Sequence, residues 1–390
     1  MLIEYIFLTS FFLVLGLAAY IRIRHPFWSL QPVFHTYDFW RYWVMQPYVI
    51  ESSLGRHPNK FLKLDLVSTK EFLDASDEER AAVLDLIQCK YVSSEQMTYM
   101  ILDKDLHVQC THTISAPGLV SLLKGGGGVD GCMISYPVRF CHRGHPMQTL
   151  FYWEYVVVRQ ELDARILIQT HEYNQRLKHP DIPASLFRKD VNLSEGIVPV
   201  VQFQVSKFEL TKSVGKPPLA PACTVTRIRA ETMHVIMDFL YDMTTKPSFF
   251  KLCIFPEMPG LQARIESNQW FFYTMQMRDQ LLAVYALKDS KIMYEDAAAA
   301  AARSEIELVA SLGRDTDDKT LFAGFLHALH DLMSIRPELG FITIPHMSHN
   351  HKIVETWKWK YGPCSTHNAA LYLYNFVCPE CTPDDAWIII

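Results

Sequence analysis

The sequence predicts an α/β protein in which one arrangement, helix, paired strands, helix and strand, is used twice. Three observations predict it. Segments rich in β-branched and aromatic residues alternate with segments of helical period in both halves of the 390-residue chain. A Pro-rich stretch without periodicity, Thr211 to Ala222 (TKSVGKPPLAPA), reads as a linker between the halves. The composition, 49% hydrophobic and 13% aromatic, is that of a well-packed globular chain. No strict internal repeat accompanies the repeated arrangement.

Composition also excludes classes. The formal charge of −5 and the absence of a Lys/Arg run give nucleic acid nothing to bind. Nine irregularly spaced cysteines argue against a secreted disulfide framework and for reduced, mostly buried thiols.

Seventeen residues, Tyr5 to Ile21, carry no charge. As a helix they span roughly 25 Å, near the lower limit for a bilayer. A cleaved signal peptide has basic residues before its apolar run, whereas here Glu4 precedes and Arg22 and Arg24 follow. The positive-inside rule keeps the C-terminal side in the cytosol. The predicted element is a membrane anchor, with a buried amphipathic or core helix as the alternative.

The next elements follow in order. Phe27 to Val33 (FWSLQPV) is extended or looped, because Pro32 disfavours helix at Gln31. An aromatic cluster runs from Tyr37 to Trp43. Ser76 to Lys90 is a helix: Ser76 and Glu79 have capping-box spacing, and Val83, Leu84, Leu86 and Ile87 form its apolar face. Gly125 to Gly128 is a hairpin-type turn; the phosphate-cradling alternative lacks a following Gly-Lys-Ser/Thr. Gly131 to Phe140 and Thr149 to Val158 are strands, Leu162 to Leu177 a helix, and Glu195 to Leu210 a further strand region. The second unit restarts with a helix around Glu231 to Tyr241. Strands at Trp270 to Met277 and Leu281 to Leu287, a helix at Lys319 to Ile335 and terminal strands complete it. The run Ala297 to Ala302 has high helix propensity and reads as a solvated helix.

Chemistry is sparse in the motifs. Cys378-Pro-Glu-Cys381 lacks the second Cys-x-x-Cys of a zinc site, so a turn with two ordinary thiols is preferred over a metal or redox pair. No metal site is predicted. No serine nucleophile elbow, kinase set or metalloprotease helix is present. The strand Phe151 to Val158, then Arg159 and a helix bearing Arg165, offers unpaired helix N–H groups and nearby guanidinium groups to a pyrophosphate. An ordinary β–α connection with surface arginines reads equally from those residues and is the plainer choice.

The end of the chain stands apart. Trp387-Ile388-Ile389-Ile390 gains free energy only by burial, each side chain roughly 1.5–3 kcal/mol. Burial draws the Ile390 carboxylate inward, where desolvation makes it more basic. On the residues alone, a last strand whose carboxylate still reaches solvent is the plainer reading.

Taken together, several stretches resemble the eukaryotic glycylpeptide N-tetradecanoyltransferases, the N-myristoyltransferases. Phe27 to Val33 resembles that family's FWxTQPV, with Leu30 for Thr. Tyr91-Val92 resembles NYVEDDD, Gly131 to Pro137 resembles GFISAIP, and Tyr155 to Val158 falls where the family has FLCV. Lys360-Tyr361-Gly362 resembles KFG, and Leu371 to Phe376 with Cys378-Pro379 resembles YYLYNWKCP. The chain then stops about as far beyond that motif as the family does.

The resemblance implies two tandem GNAT-like (acyl-CoA N-acyltransferase) halves, mixed sheets flanked by helices. With the anchor read from the residues, one transmembrane helix at 1–24, the chain divides into an acyl-CoA-binding half at 25–212 and a peptide-binding half at 213–390. The resemblance also implies myristoyl transfer from myristoyl-CoA to the N-terminal glycine of peptides or nascent proteins, without prosthetic group; with the anchor, the expected protein is a membrane-anchored monomer facing the cytosol. The Ile390 carboxylate becomes the general base, and the backbone N–H groups of Tyr155 and Val156 the oxyanion hole. Phe27, Trp28, Val156, Val157, Val158, Ala164, Arg165, Ile166 and Leu167 fall at the acyl-CoA site; Tyr91, Val92, Glu95 and Tyr285 fall at the peptide.

Departures from the family pattern bear on both substrates. Its basic LRSKR becomes Leu162-Asp163-Ala164-Arg165-Ile166, its EDDD run is thinned to Ser93-Ser94-Glu95, and Tyr-x-Leu-Pro survives only as Tyr285-Ala286-Leu287. The Gly-Asp-Gly after KFG is replaced by Cys364 to Asn368, and RYWHRSLN is not recognisable in Gln204 to Leu210. A weaker grip on CoA and a different peptide preference follow. Two other readings stand beside the first: a non-catalytic relative that binds acyl-CoA or N-termini, and a transferase of another acyl group or amine.

Overall fold

The computed structural model describes residues 2–43, 46–54, 59–92, 97–126, 128–191, 193, 196–210, 215–245, 250–278, 280–296, 301–314, 316–358 and 362–390. Five helices precede residue 180: α1 (Leu2–Arg24), α2 (Phe39–Tyr42), α3 (Asp77–Lys90), α4 (Asp103–Thr111) and α5 (Glu161–Lys178). The capping box forms at α3, where Ser76 Oγ accepts from Glu79 N at 3.2 Å and Glu79 Oε2 accepts from Ser76 N at 2.9 Å. Lys70 then pairs with the Glu79 carboxylate at 2.8 Å, tying the helix start to the Val67–Glu71 strand.

One motif is built twice. Gly128–His142 and Gln148–Val158 pair antiparallel, α5 crosses over, and Ser185–Asp190 returns parallel to Gln148–Val158. In the second half Gln280–Asp296 and Ala301–Gly313 pair antiparallel, the Asp318–Ile335 helix crosses over, and Leu339–Pro345 returns parallel to Ala301–Gly313. Parallel strands require such a crossover. The predicted α/β class, with mixed sheets flanked by helices, is the one observed.

The two motifs then trade strands. Ser365–Tyr374 comes late in the chain yet inserts between Ser185–Asp190 and Val201–Glu209. Val201–Glu209 in turn pairs with Leu339–Pro345. On the far side Leu252–Pro256 pairs with Gly128–His142 and receives Ala386–Ile388 as a parallel neighbour. A single ladder therefore runs across the Pro-rich stretch, within a sheet of fifteen strands among the described residues.

Three sequence expectations change. Ala301 and Ala302 are strand, paired with Asp296 and Glu295, so the alanine run does not make the expected helix; 297–300 lie outside the described residues. Antiparallel pairing with the preceding strand overrides alanine's helix propensity there. The strand expected from Glu195 begins only at Val201, and of the residues before it only Ile197 makes a bridge, to His35. Helices at Met258–Glu266 and Asn350–Lys358 are additional to the elements expected from the sequence. All nine cysteines are free thiols, and burial pushes the Cys381 thiol up to about 12.

His171 sits fully buried on α5 between Ser121 Oγ at 2.8 Å and Ser135 Oγ at 2.9 Å. Burial disfavours its charged form and lowers its pKa to about 3, against about 6.5 in an unfolded chain. The unfolded state therefore binds the extra proton, and stability is lost as pH falls from about 6.5 toward 3. His171→Gln, which cannot titrate, is expected to give a shallower fall of thermal midpoint between pH 6.5 and 4 than the unsubstituted protein. Parallel curves would remove His171 from the acid sensitivity.

Candidate active site

A cleft opens where two parallel strands part. Gln148–Val158 and Ser185–Asp190 are paired only from Phe151 to Trp153 against Ser185 to Phe187. Past Trp153 the first strand bulges against its other neighbour, with two residues, Tyr155 and Val156, standing opposite Met133 alone. Tyr155 takes a left-handed backbone, φ 54°, which a non-glycine residue holds only where its surroundings fix it. Those surroundings are aromatic. The Tyr155 and Tyr99 hydroxyls lie 3.1 Å apart, and the Tyr91 ring centroid is 5.0 Å from both Tyr99 and Tyr155. Tyr155 is buried, while Val156 is turned out to 38% exposure. A bulge re-aims a strand in this way.

The cavity between the parted strands has a volume of about 820 Å³. Stacked rings line one side: Trp28 lies on Phe187 at 5.2 Å and 8°, and Phe187 stacks in turn on Trp153 at 5.7 Å and on Tyr372 at 5.4 Å. Charges line the other. Arg188 bridges Glu307 at 3.1 Å and Asp190 at 3.0 Å, and Lys207 pairs with Glu305 at 2.9 Å. Arg188 and Lys207 are thus each matched to a carboxylate, which offsets much of their charge in the wall.

The end of the chain reaches the same cavity. Ala386–Ile388 lies parallel to Leu252–Pro256, and Ile389 N donates to Ile254 O at 2.8 Å. Period-two alternation sends Trp387 and Ile389 into the core built on Phe239, Phe250 and Phe255, and sends Ile388 and Ile390 to the cavity. All four side chains are buried. Ile390 O accepts from Lys288 Nζ at 3.2 Å. Lys288 Nζ also stands 3.7 Å from Glu154 Oε1, and Glu154, itself buried, accepts from Tyr136 OH at 2.9 Å. The last strand of the plainer reading is present, and the Ile390 oxygen at its end faces an ammonium in the cavity wall.

Of the residues expected at the site, Trp28, Tyr91, Val92, Tyr155, Val156 and Ile390 line this cavity together. Phe27 is buried behind Trp28, with ring centroids 5.0 Å apart, and also packs on Phe61. Val157 faces the core, and Val158 stands at the strand end before α5. Ala164, Arg165 and Ile166 lie half-buried on the first turns of α5, and Leu167 is fully buried against the aromatic stack; none of the four lines the cavity. Gln160 caps α5 without a side-chain hydrogen bond, and Arg159 pairs with Asp130 at 3.4 Å. Glu95 lies outside the described residues. Tyr285 is fully buried beneath the Asp318–Ile335 helix, its hydroxyl donating to Leu321 O at 2.7 Å, and does not reach the cavity.

Sequence reasoning missed Lys288, Glu154, Arg188, Glu305 and Glu307. Two of them left a signal. Glu154 is the one charge in the strand FYWEYVVV, and Lys288 follows the apolar LLAVYAL at the place of the proline in Tyr-x-Leu-Pro.

Comparison with known proteins locates the fold. The chain resembles a crystal structure of Saccharomyces cerevisiae N-myristoyltransferase with bound myristoyl-CoA, at 12% identity and TM-score 0.71, covering 94% of each chain. A second such structure gives 14% identity and TM-score 0.69 over 94% of this chain and 99% of that one. A third, with myristoyl-CoA and inhibitors, gives 12% and 0.69 over 95% and 96%. No family model and no curated protein sequence matches. The chain therefore has the N-myristoyltransferase fold, recognisable in structure across nearly its whole length and scarcely in sequence.

Proposed function

We propose that the chain transfers a myristoyl group from myristoyl-CoA to the N-terminal glycine amine of proteins at the cytosolic face of a membrane. The observation that carries this is the meeting of Ile390 and the Tyr155–Val156 bulge in one cavity of this fold. The structural neighbours hold myristoyl-CoA, and their fold covers 94% of this chain.

The chemistry runs on the chain's own groups. The Ile390 carboxylate takes a proton from the glycine ammonium, and the freed amine attacks the thioester carbon. The backbone N–H groups of Tyr155 and Val156 donate to the oxyanion, each worth on the order of 3 kcal/mol in the transition state. The C–N bond forms, the C–S bond breaks, and the second proton lost by the nitrogen passes to the departing sulfur, so that CoA leaves as the thiol. The Trp28 stack and the turned-out Val156 offer the acyl-CoA an apolar wall, with Phe27 and Val157 as backing. The uncapped first turn of α5, with Val158, Ala164, Arg165, Ile166 and Leu167, takes the CoA phosphates. Tyr91 and Val92 face the peptide. One arginine and Asp163 at that turn give a weak electrostatic hold. Glu4–Arg24 is apolar enough to cross a membrane, and Arg22 and Arg24 keep the body on the cytosolic side.

A second reading is favoured by one observation: Lys288 already occupies the carboxylate that the mechanism needs. On that reading the chain binds acyl-CoA or N-termini without turnover. Purified protein given labelled myristoyl-CoA and a varied set of glycine-initiated peptides separates the two. Amide-linked label on the peptide is expected; tight acyl-CoA binding with no transfer across the set would establish the non-catalytic reading.

Lys288 also carries a pH prediction. An ammonium 3.2 Å away favours the ionised carboxylate. Lys288→Met is expected to move the ascending limb of kcat/KM to higher pH, with kcat on the plateau changed less, because the bound substrate ammonium then supplies the missing charge. Lys288→Arg is expected to keep the limb in place. A limb that stays put in Lys288→Met would deny Lys288 any influence on the base.

A further inference from the structure

The segment that follows α1 is built inside out for a water-facing surface. Its charged side chains are turned inward and used: Arg41 donates to Val33 O at 2.9 Å and pairs with Asp38 at 3.2 Å, and Asp38 accepts from His35 N at 3.1 Å. Its rings are turned outward. Trp40 is 87% and Trp43 82% exposed, with Phe39 and Tyr42 about half exposed beside them. Water selects the opposite partition, and two tryptophans left this bare mark a contact surface.

The position of the segment says what covers it. Arg22 on the last turn of α1 stands close enough to the Tyr37 hydroxyl to interact with it electrostatically. One residue earlier, Ile21 is buried over Gly196, where a Cβ would come within 2.6 Å of the Ile21 side chain. Gly196 holds φ +74°, so both its backbone and the close approach demand glycine. The end of α1 is thus seated on the body rather than joined to it by a free linker. The part of that helix clear of the body, Glu4 to Tyr20, spans roughly 25 Å, near the lower limit of a hydrocarbon thickness. Where that helix leaves the bilayer, the segment attached to it lies at headgroup depth. Indole rings favour that depth, with an apolar body in the acyl region and an N–H in the wet layer.

We propose that Trp40 and Trp43 form a second membrane contact, seating the body on the lipid–water interface of the bilayer that α1 enters. This rests on reading α1 as a membrane span. Trp28, in the segment that joins α1 to this face, lines the cavity proposed to take the acyl-CoA.

Tryptophan fluorescence tests the contact directly, because residues 2–24 contain no tryptophan. The full chain is reconstituted in phosphatidylcholine–phosphatidylserine vesicles whose acyl chains carry bromine at a shallow or a deep position. Co-flotation with the vesicles reports α1 separately. Flotation with quenching by shallow bromine, falling by more than half in Trp40→Phe/Trp43→Phe, is the expected result; phenylalanine keeps the surface while removing the fluorophore. Flotation with quenching absent, or unchanged in the double variant, overturns the contact while leaving the span intact. Concentration-dependent dimers with unquenched Trp40 and Trp43 assign the face to a second copy instead and overturn it as well. Failure to float overturns both the span and the contact, and leaves the peptide-transfer assay, which needs no membrane, to judge the function independently.

Discussion

The burial of Trp387 to Ile390 is the constraint on which the rest of the site depends. A strand of three residues, Ala386–Ile388, is held on one side by Leu252–Pro256 and continued by the Ile389 N–H to Ile254. That register decides which side chains enter the core and which enter the cavity. Trp387 meets Phe239 at 5.4 Å and Phe250 at 5.7 Å, and one-residue alternation then directs Ile390 to the cavity wall. A slip by one residue would exchange the two sets and carry the Ile390 oxygen away from Lys288. Burying four large side chains, at roughly 1.5–3 kcal/mol each, makes such a slip costly.

The other half of the site comes from a failure of pairing. Parallel strands stay together for three residues, then part, and the bulge at Tyr155–Val156 turns the backbone toward the gap. Three tyrosines hold the bulge, with Tyr91 and Tyr99 packed on Tyr155. The exchanged strand Ser365–Tyr374 pairs on the far edge of Ser185–Asp190 and brings His367 and Leu371 to the cavity, so late and early segments meet there. Glu154 stands at the junction, one residue before the bulge, and shares Lys288 with the chain end. The proline-to-lysine change at residue 288 therefore bears on the site through charge, and no resemblance to the family motif accounts for it.

Much of this was legible in the sequence, for physical reasons. α3 announced itself because Ser76 and Glu79 satisfy each other's backbone donors locally. The Gln148–Val158 strand followed from its pattern and its β-branched and aromatic content, and α5 as the helix after it, to within a residue at each end. The alanine run misled because propensity is weak beside the antiparallel pairing of Ala301 and Ala302 with Asp296 and Glu295. Tyr285 misled differently: a motif places a residue along a strand but not on a face, and alternation put its ring under a helix. Arg188, Glu305 and Glu307 were invisible because their meaning lies in pairs more than a hundred residues apart or across the cavity. Lys288 and Glu154 were visible only as charges breaking apolar strands.

The central claim is that the Ile390 carboxylate is the base. Replacing that carboxylate by a carboxamide, through semisynthesis of the last residues, changes the group and keeps every buried side chain. Single-turnover transfer from preloaded myristoyl-CoA to a glycine peptide is then compared with the unmodified chain. The account predicts acyl-CoA affinity within about twofold and a transfer rate lower by about 10²- to 10⁴-fold, the range general-base catalysis contributes. Transfer at an undiminished rate by the carboxamide would contradict it.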